Sequence, residues 1–356
     1  MKNIIFFARY PNNENLQDGF YVRVKNIDNI FINENRIYLC ISILHNYHFN
    51  ETKKNNLIIV NANIFLHYFK IKKLFHKSNI FYIHSLHNFL WTIFLPIPKN
   101  NKIIWDVHGA VPEEFKFNKK IILAYIFNLL EKYLYHRADL IITVTQAMYK
   151  FLSLKYNVKN KNYFVFPIIN NLLLSENNIS KVNVLRNELN LSTNDIVFIY
   201  SGSLLKWQRF DEIAKIIEKC NNPNYYFIIL TGQINEVKKL IINYNLISKR
   251  ILIKTVLPEE LPIYYAIANF GFILRNNHIL NKVAAPTKLL EYMYYGLIPI
   301  VDYEKIGDFY ELNYEYIHYT KINDQLFSNK SIKNIQIIKN IINTNNKENF
   351  KLLVLK

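Results

Sequence analysis

The sequence contains few glycines, few cysteines and no long apolar run. It has seven glycines and two cysteines in 356 residues. Because glycine is so rare, each one is expected where the backbone needs its conformational freedom. Cys40 and Cys220 lie in separate apolar segments and form no pattern typical of a metal or redox site, which indicates a reducing compartment. No apolar run is long enough to cross a bilayer.

The first residues do not have the pattern of a signal sequence. The apolar run from Met1 to Ala8 is short and is followed directly by Arg9, so it favours a first β-strand. We therefore expect a cytoplasmic protein that is either soluble or peripheral on the inner face of the plasma membrane.

Basic residues are in excess and unevenly distributed. The net charge is +17, and residues 1–170 hold 22 Lys and Arg against 10 Asp and Glu. Such a surface attracts nucleic acid, anionic lipid or anionic substrates. A helix predicted between Asn61 and Lys77 has an apolar side and a side with Lys70 and Lys73. Such a helix could dock on an anionic membrane surface through its basic side. Alternatively, it packs on the sheet through its apolar side and leaves its lysines in water.

Short apolar segments alternate with segments of helical periodicity along most of the chain. This alternation predicts parallel, doubly wound sheets, in which ligands bind at the carboxyl ends of the strands. The length suits two such domains. We predict an N-terminal domain at 1–170, a second domain at 171–330 that begins with a polar linker, and a C-terminal helix or tail at 331–356.

Three segments carry candidate chemistry. The first, Pro286–Gly296, has a proline where a helix begins and a glycine where it ends, so its first free N–H groups form an anion site. In the second, His108 and Gly109 follow a strand that ends at Val107. In the third, Gly202 follows a strand and lets a ligand approach the backbone. An ordinary crossover helix with an ion pair between Lys288 and Glu291 is the alternative for the first segment.

In order and spacing, these segments resemble those of retaining glycosyltransferases of the GT-B fold, family 4 in particular. The resemblance implies an α/β protein with two facing Rossmann-like doubly wound domains and a C-terminal helix that crosses back. It also implies transfer from a nucleotide-sugar, with retention and without metal, to a glycan or lipid-linked acceptor in surface polysaccharide biosynthesis.

The resemblance further implies roles for individual residues. His108 would face the donor sugar, Lys206 would neutralise the leaving diphosphate, and Glu291 would bind the ribose hydroxyls. The other implied donor-side residues are Gly202, Ser203, Arg209, Gly232, Pro286, Thr287, Lys288 and Leu289, and the acceptor-side residues are Gly19, Arg23 and Gly109. The commoner family pattern has a second Glu where this chain has Val283, and often an Arg where it has Ser203, so the contact to the sugar hydroxyls stays open.

We expect neither a metal nor a cofactor, because Asp106 is followed by His108 and not by the second Asp of a metal-binding D-x-D pair. The resemblance implies a nucleotide-sugar donor, whose base, uracil or guanine, the residues do not distinguish, and a transferred group of hexosyl or N-acetylhexosaminyl type. Two alternatives stay open. One is a sugar-nucleotide epimerase of the same fold, for which no acid and base carboxylates are apparent. The other is a non-catalytic protein that binds anionic polymers, although no nucleic-acid motif is present and no such partner is expected.

Overall fold

The computed structural model describes residues 2–12, 15, 18–95, 97–98, 100–158, 161–168, 179–323 and 325–356. Its contacts divide the chain into two units, Met1–Ile168 with Asn345–Lys356, and Ile169–Thr344. The linker predicted after residue 170 begins outside the described residues. Residues 331–344 belong to the second unit and only the last twelve belong to the first.

The first unit contains an eight-stranded sheet in the order β3-β4-β2-β1-β5-β6-β7-β8. Its strands are β1 (Asn3–Phe7), β2 (Asn35–Ser42), β3 (Asn50–Lys54), β4 (Leu57–Asn63), β5 (Ile80–His84), β6 (Lys102–Val107), β7 (Leu140–Thr143) and β8 (Tyr163–Val165). Its helices are α1 (Gly19–Ile30), α2 (Tyr68–His76), α3 (Val111–Phe117), α4 (Ile121–Arg137), α5 (Gln146–Tyr156) and the last helix, α13 (Lys347–Leu355), with a 3-10 helix at Leu86–Phe94. β3 is antiparallel to β4, and the remaining pairs of described strands in this sheet are parallel.

The alternating residues of β1 show how this sheet is covered on both faces. Phe6 packs in one core with Val24 of α1 and with Phe350 of α13. Phe7 points the other way and meets Phe75 of α2 edge to face, with ring centroids 5.8 Å apart. Both faces of the sheet are therefore covered, and successive side chains of β1 are buried on opposite faces because they alternate in direction along a strand. The predicted return of the C-terminal helix to the first domain is confirmed.

The second unit contains a six-stranded sheet in the order β11-β10-β9-β12-β13-β14, with parallel pairing throughout the described strands. Its strands are β9 (Ile196–Ser201), β10 (Tyr225–Leu230), β11 (Ile251–Lys254), β12 (Phe270–Ile273), β13 (Ile298–Val301) and β14 (Ile317–His318). Its helices are α6 (Ile179–Glu188), α7 (Phe210–Lys219), α8 (Ile234–Asn243), α9 (Leu261–Ile267), α10 (Ile279–Lys282), α11 (Thr287–Tyr294) and α12 (Ile332–Thr344). Short 3-10 helices lie at Lys206–Gln208, Leu246–Ser248, Pro258–Glu260 and Tyr319–Lys321.

Two helices differ from the sequence prediction. The helix predicted from residue 61 begins only at Tyr68, because the Asn63 side chain accepts the N–H groups of Phe65 and Leu66 and holds a turn there. The apolar stretch after Pro112 predicts a single long helix, but the structure contains two helices there, α3 and α4. The chain breaks between them at Lys119, whose φ of +60° is left-handed and ends a helix.

None of the helices in the described ranges is long and apolar enough to cross a membrane.

Candidate active site

In the first sheet, β2 lies on one side of β1 and β5 lies on the other, so the strand order reverses between β1 and β5. In sheets of this kind, ligands bind at the carboxyl ends of the strands beside the reversal. His84 is the last residue of β5 and Asp106 pairs with it on β6. His108 follows the end of β6 by one residue. The fold therefore places two histidines and an aspartate at the same end of neighbouring strands.

Asp106 is the centre of this cluster and is fully buried. Both of its carboxylate oxygens accept from the Arg23 guanidinium, at 2.9 and 3.0 Å from Nε and 2.5 Å from Nη2. Its Oδ2 lies 3.2 Å from His84 Nδ1 and 3.1 Å from His108 Nε2. The third Arg23 nitrogen donates to the Phe166 carbonyl at 2.6 Å. The cluster thus joins α1, β5, β6 and the end of β8.

The charges of the cluster follow from its burial. Burial favours the neutral acid at Asp106, but Arg23 and the two histidines outweigh it and hold the pKa of Asp106 well below its usual value. Burial lowers the pKa of His84 to about 4 and also lowers the pKa of His108, although Asp106 opposes both shifts. Both rings are therefore neutral at pH 7, and each can donate one N–H to Asp106. The His108 side chain is 10% exposed, whereas those of His84 and Asp106 are completely buried.

The second sheet reverses between β9 and β12. Gly202 is the first residue after β9, and Arg275 is the second residue after β12. Helix α11 brings Lys288 to the same edge of the sheet. A Cβ on Gly202 would lie 2.2 Å from Lys288 Nζ, and the φ of +133° at Gly202 also disfavours any side chain. This position therefore needs glycine for both the turn and the close approach of the lysine.

The amine of Lys288 is buried and has no hydrogen-bond partner among the residues that the structure describes. Its Nζ lies 4.9 Å from the centre of the Tyr200 ring. Burial, together with the nearby Arg275, lowers the pKa of Lys288 to about 7, and burial lowers the pKa of Arg275 to about 10. Arg275 donates to the Asn281 side chain at 3.3 Å. Arg275 is close enough to Lys288 to lower its pKa, and two neighbouring cations of this kind favour the binding of an anion.

Glu291 lies on the same helix and is held by tyrosines. Its Oε2 accepts from the Tyr265 hydroxyl at 3.1 Å, and that hydroxyl also lies 2.9 Å from Ser201 Oγ. The Ser201 N–H donates to the Tyr292 hydroxyl at 3.1 Å. The Tyr292 ring reaches this point only because Gly271 has no side chain, since a Cβ there would lie 2.2 Å from the ring. Burial raises the pKa of Glu291 to about 7, against the opposing effects of Tyr265 and Lys288.

Comparison with known proteins finds glycosyltransferase family models in both units. The model of the glycosyltransferase family 4 matches residues 47–168, and the model of the glycosyl transferases group 1 matches residues 181–315. The chain belongs to the family-4-like glycosyltransferases of the GT-B fold. No curated protein matches its sequence.

Solved structures show the GT-B fold of this glycosyltransferase over nearly the whole chain. HepE of Anabaena, in complex with UDP and glucose, aligns with a TM-score of 0.62 at 14% identity, over 98% of this chain and 91% of HepE. A trehalose-6-phosphate structure from E. coli, bound with UDP-2-fluoro glucose, gives 0.66 at 12% identity, over 100% and 98%. WaaG, a glycosyltransferase involved in lipopolysaccharide biosynthesis, gives 0.59 at 9% identity, over 96% and 90%.

Several of the residues predicted for the donor side of the glycosyltransferase lie around Gly202. Pro286 precedes α11 and Thr287 begins it, so the backbone N–H groups at its start are available. The Leu289 side chain is fully buried in the core, so only its backbone can serve a ligand. The Ser203 carbonyl accepts from the Tyr200 hydroxyl. The Lys206 side chain lies outside the described part of the structure, and its role stays a prediction.

Other predicted residues have roles or surroundings of their own. Arg23 is buried against Asp106 with every guanidinium nitrogen engaged, so it holds the strand ends together and is not free to meet an acceptor. Arg209 forms an ion pair with Asp302. Gly109 and Gly232 have open space where a side chain would begin. Gly19 is the first residue of α1, after the Asp18 cap.

Three residues of the candidate site were not predicted from the sequence, namely Arg275, His84 and Tyr265. Arg275 and His84 were within its reach, because each lies at the carboxyl end of a strand beside a reversal of the sheet, where His108 and Gly202 also lie. Tyr265 lies inside α9, and only the packing of that helix brings its hydroxyl to Glu291.

The first-unit cluster also has the composition of a metal site. Ligand atoms of His84, Asp106 and His108 lie within 4.8 Å of one another. Two observations disfavour an ion. Arg23 already occupies both oxygens of Asp106, and the outer nitrogens, His84 Nε2 and His108 Nδ1, have no partner in the described part of the chain, whereas metal-bound histidines donate that N–H. The expectation of no metal stays a prediction.

Proposed function

We propose that this glycosyltransferase moves a hexosyl or N-acetylhexosaminyl group from a nucleotide-sugar to a glycan or lipid-linked acceptor, with retention and without metal, in the building of a surface polysaccharide. The observation that carries the donor assignment is Lys288, whose buried amine has no hydrogen-bond partner in the described part of the chain and lies beside Gly202 and Arg275. A diphosphate has the negative charge that would pair with these two cations. Neighbours of the same fold solved with UDP or UDP-sugars support this choice.

In the proposed reaction, the bond between the sugar C1 and the diphosphate oxygen breaks while the acceptor oxygen bonds to C1 on the same face. The leaving phosphate takes the acceptor's proton. Lys288 and the N–H groups at the start of α11 neutralise the charge that develops on the diphosphate. Glu291, positioned by Tyr265, accepts from the ribose hydroxyls. His108, the exposed member of its cluster, is the first-unit residue proposed to face the donor sugar.

Nucleotide binding tests the donor assignment directly. In a thermal-shift panel of UDP, GDP, ADP and short oligonucleotides, we expect one nucleoside diphosphate to raise the unfolding temperature, because a ligand that binds only the folded state stabilises it.

Glu291→Gln keeps the acceptor for Tyr265 but loses the carboxylate charge, and it should reduce transfer by about 100-fold with the fold intact. Stabilisation by oligonucleotides alone, or full transfer activity in Glu291→Gln, would refute the proposal.

The titration of Lys288 predicts how the affinity for the nucleoside diphosphate depends on pH. The pKa of Lys288 in the free protein is about 7, whereas a bound diphosphate keeps the amine protonated. Binding therefore takes up a proton above pH 7, and the dissociation constant should rise towards tenfold per pH unit between about pH 7.5 and 9.5. Isothermal titration at several pH values measures this slope. Lys288→Arg, which stays charged, should flatten it, and an equal slope in that variant would contradict the assignment.

A further inference from the structure

Helix α4 is apolar on both of its sides, which is unusual for a helix at a protein surface. Its inner side packs in the protein through Ala124, Phe127, Leu130 and Leu134. Its outer side presents a second apolar row at helical spacing, and we call this row the α4 surface. Its members are Ile122 (79% exposed), Tyr125 (65%), Ile126 (39%), Leu129 (50%) and Tyr133 (57%). Contiguous apolar patches of this kind mark sites of interaction.

Neighbouring elements extend the α4 surface on the same face of the sheet. The connections from β4 to β5, from β5 to β6 and from β6 to β7 all advance in one direction through the strand order. Right-handed crossovers therefore place α2, the 3-10 helix and α4 on one face. Contacts agree with this: Tyr133 stacks on Phe89 at 6.1 Å, and Phe94 meets Phe65 at 6.1 Å. Exposed apolar side chains continue along these elements, namely Phe65, Leu66, Phe69, Ile93 and Phe94.

The charges around this apolar area are almost all positive. No Asp or Glu occurs from Thr52 to Trp105, a stretch that contains eight lysines. In α4 the single acid, Glu131, is buried against Lys155 and Tyr156. α3 adds one exposed carboxylate, Glu114. Exposed lysines lie on α2, at the junction of α3 and α4, and on α4 itself: Lys70, Lys73, Lys77, Lys116, Lys119, Lys120 and Lys132.

We propose that the α4 surface docks on an anionic lipid bilayer, with its apolar side chains in the acyl boundary and the surrounding lysines at the headgroups. Large apolar side chains on one side and lysines beside them are the composition of interfacial helices, and each lysine near an anionic leaflet adds attraction. A second copy of this chain is a poorer occupant, because it would bring a face of the same positive charge against this one. The basic side of α2, suggested from the sequence as a membrane contact, flanks this surface.

Vesicle sedimentation of the full chain tests this proposal without a donor or an acceptor. Wild-type protein should sediment with vesicles that contain phosphatidylglycerol and much less with phosphatidylcholine alone. The triple variant Ile122→Ser, Tyr125→Ser, Leu129→Ser should bind anionic vesicles about 100-fold more weakly, because it removes apolar area from the acyl boundary. The matched control, Ile242→Ser, Ile247→Ser, Ile332→Ser, replaces equally exposed side chains of the second unit and should bind as the wild type does.

Charge variants separate the lysines from the apolar row. Lys119→Glu with Lys120→Glu should weaken binding to anionic vesicles, and Lys238→Glu with Lys239→Glu on α8 should weaken it less. Wild-type protein that stays in solution, or an α4 variant that sediments fully, would overturn the proposal. So would a dimer, detected by light scattering, that the α4 variant dissociates. Stabilisation of the same variants by the nucleoside diphosphate shows that they are folded and reports on the donor site separately.

Discussion

Replacing Asp106 with Asn should lower the free energy of unfolding of this glycosyltransferase by about 3–5 kcal/mol, because it leaves the buried Arg23 cation uncompensated. The Arg23 guanidinium is 1% exposed, and in the wild type it bonds both oxygens of Asp106. An amide cannot carry the charge that balances it. Urea unfolding followed by circular dichroism at pH 7 measures the loss.

The pH dependence of stability gives this prediction a second readout. The pKa of Asp106 is held well below its usual value in the folded state. Asp106 therefore contributes stability above its unfolded pKa, near pH 4, and that stability is lost as the pH falls further. Asp106→Asn should remove this acid-side dependence.

Two variants show whether the buried pair is responsible. Glu212→Gln breaks an exposed pair with Lys215 and should leave stability unchanged, since such pairs contribute little. Arg23→Met combined with Asp106→Leu removes both charges and should be more stable than Asp106→Asn alone. A variant Asp106→Asn as stable as the wild type would mean that Arg23 is not confined as described.

Lys288→Met should weaken binding of the nucleoside diphosphate by about 100-fold while the free protein becomes no less stable. The wild-type amine is buried without a hydrogen-bond partner in the described chain, so replacing it with an apolar side chain of similar length removes a desolvation cost on the order of 1 kcal/mol. In the complex, the same replacement deletes a charge-assisted contact to the diphosphate. Titration calorimetry and urea unfolding measure the two effects.

Lys330 provides the matched control for this variant. It is also a buried lysine whose pKa is lowered to about 7 by burial, but its amine donates to the carbonyls of Tyr265 and Ala268 at the end of α9. Lys330→Met should therefore destabilise the protein, because it leaves these carbonyls without a donor, and nucleotide affinity should change little. If Lys288→Met instead destabilised the free protein and bound nucleotide normally, Lys288 would be a structural residue.

The GT-B fold was predictable because its signals are local. Strand and helix periods alternate along the chain, and Pro286 and Gly296 bracket a helix that the structure places at Thr287–Tyr294. The carboxyl ends of strands also pointed to His108 and Gly202. Errors arose where a side chain or a single backbone angle changed a boundary, as at Asn63 and Lys119.

The charge partners were not predictable from the same signals. Lys288 and Glu291 are three residues apart on one helix, a spacing that favours an ion pair. In the structure Glu291 instead bonds to Tyr265, 26 residues away, and Lys288 has no hydrogen-bond partner among the residues that are described. Arg23 was expected at an acceptor and is paired with Asp106, 83 residues further along the chain.

The sequence by itself determined the order of strands and helices, the start of α11 with its free N–H groups and the strand ends on which the candidate site lies, because each depends on residues within one or two turns. Only the tertiary structure decided which buried charge is balanced and which is left for a ligand. The free energy of a buried charge depends on its nearest polar neighbours and on the absence of water, and both are set by segments distant in the chain. For this glycosyltransferase, that distinction separates Asp106, which is paired with Arg23, from Lys288, the residue that we propose binds a diphosphate.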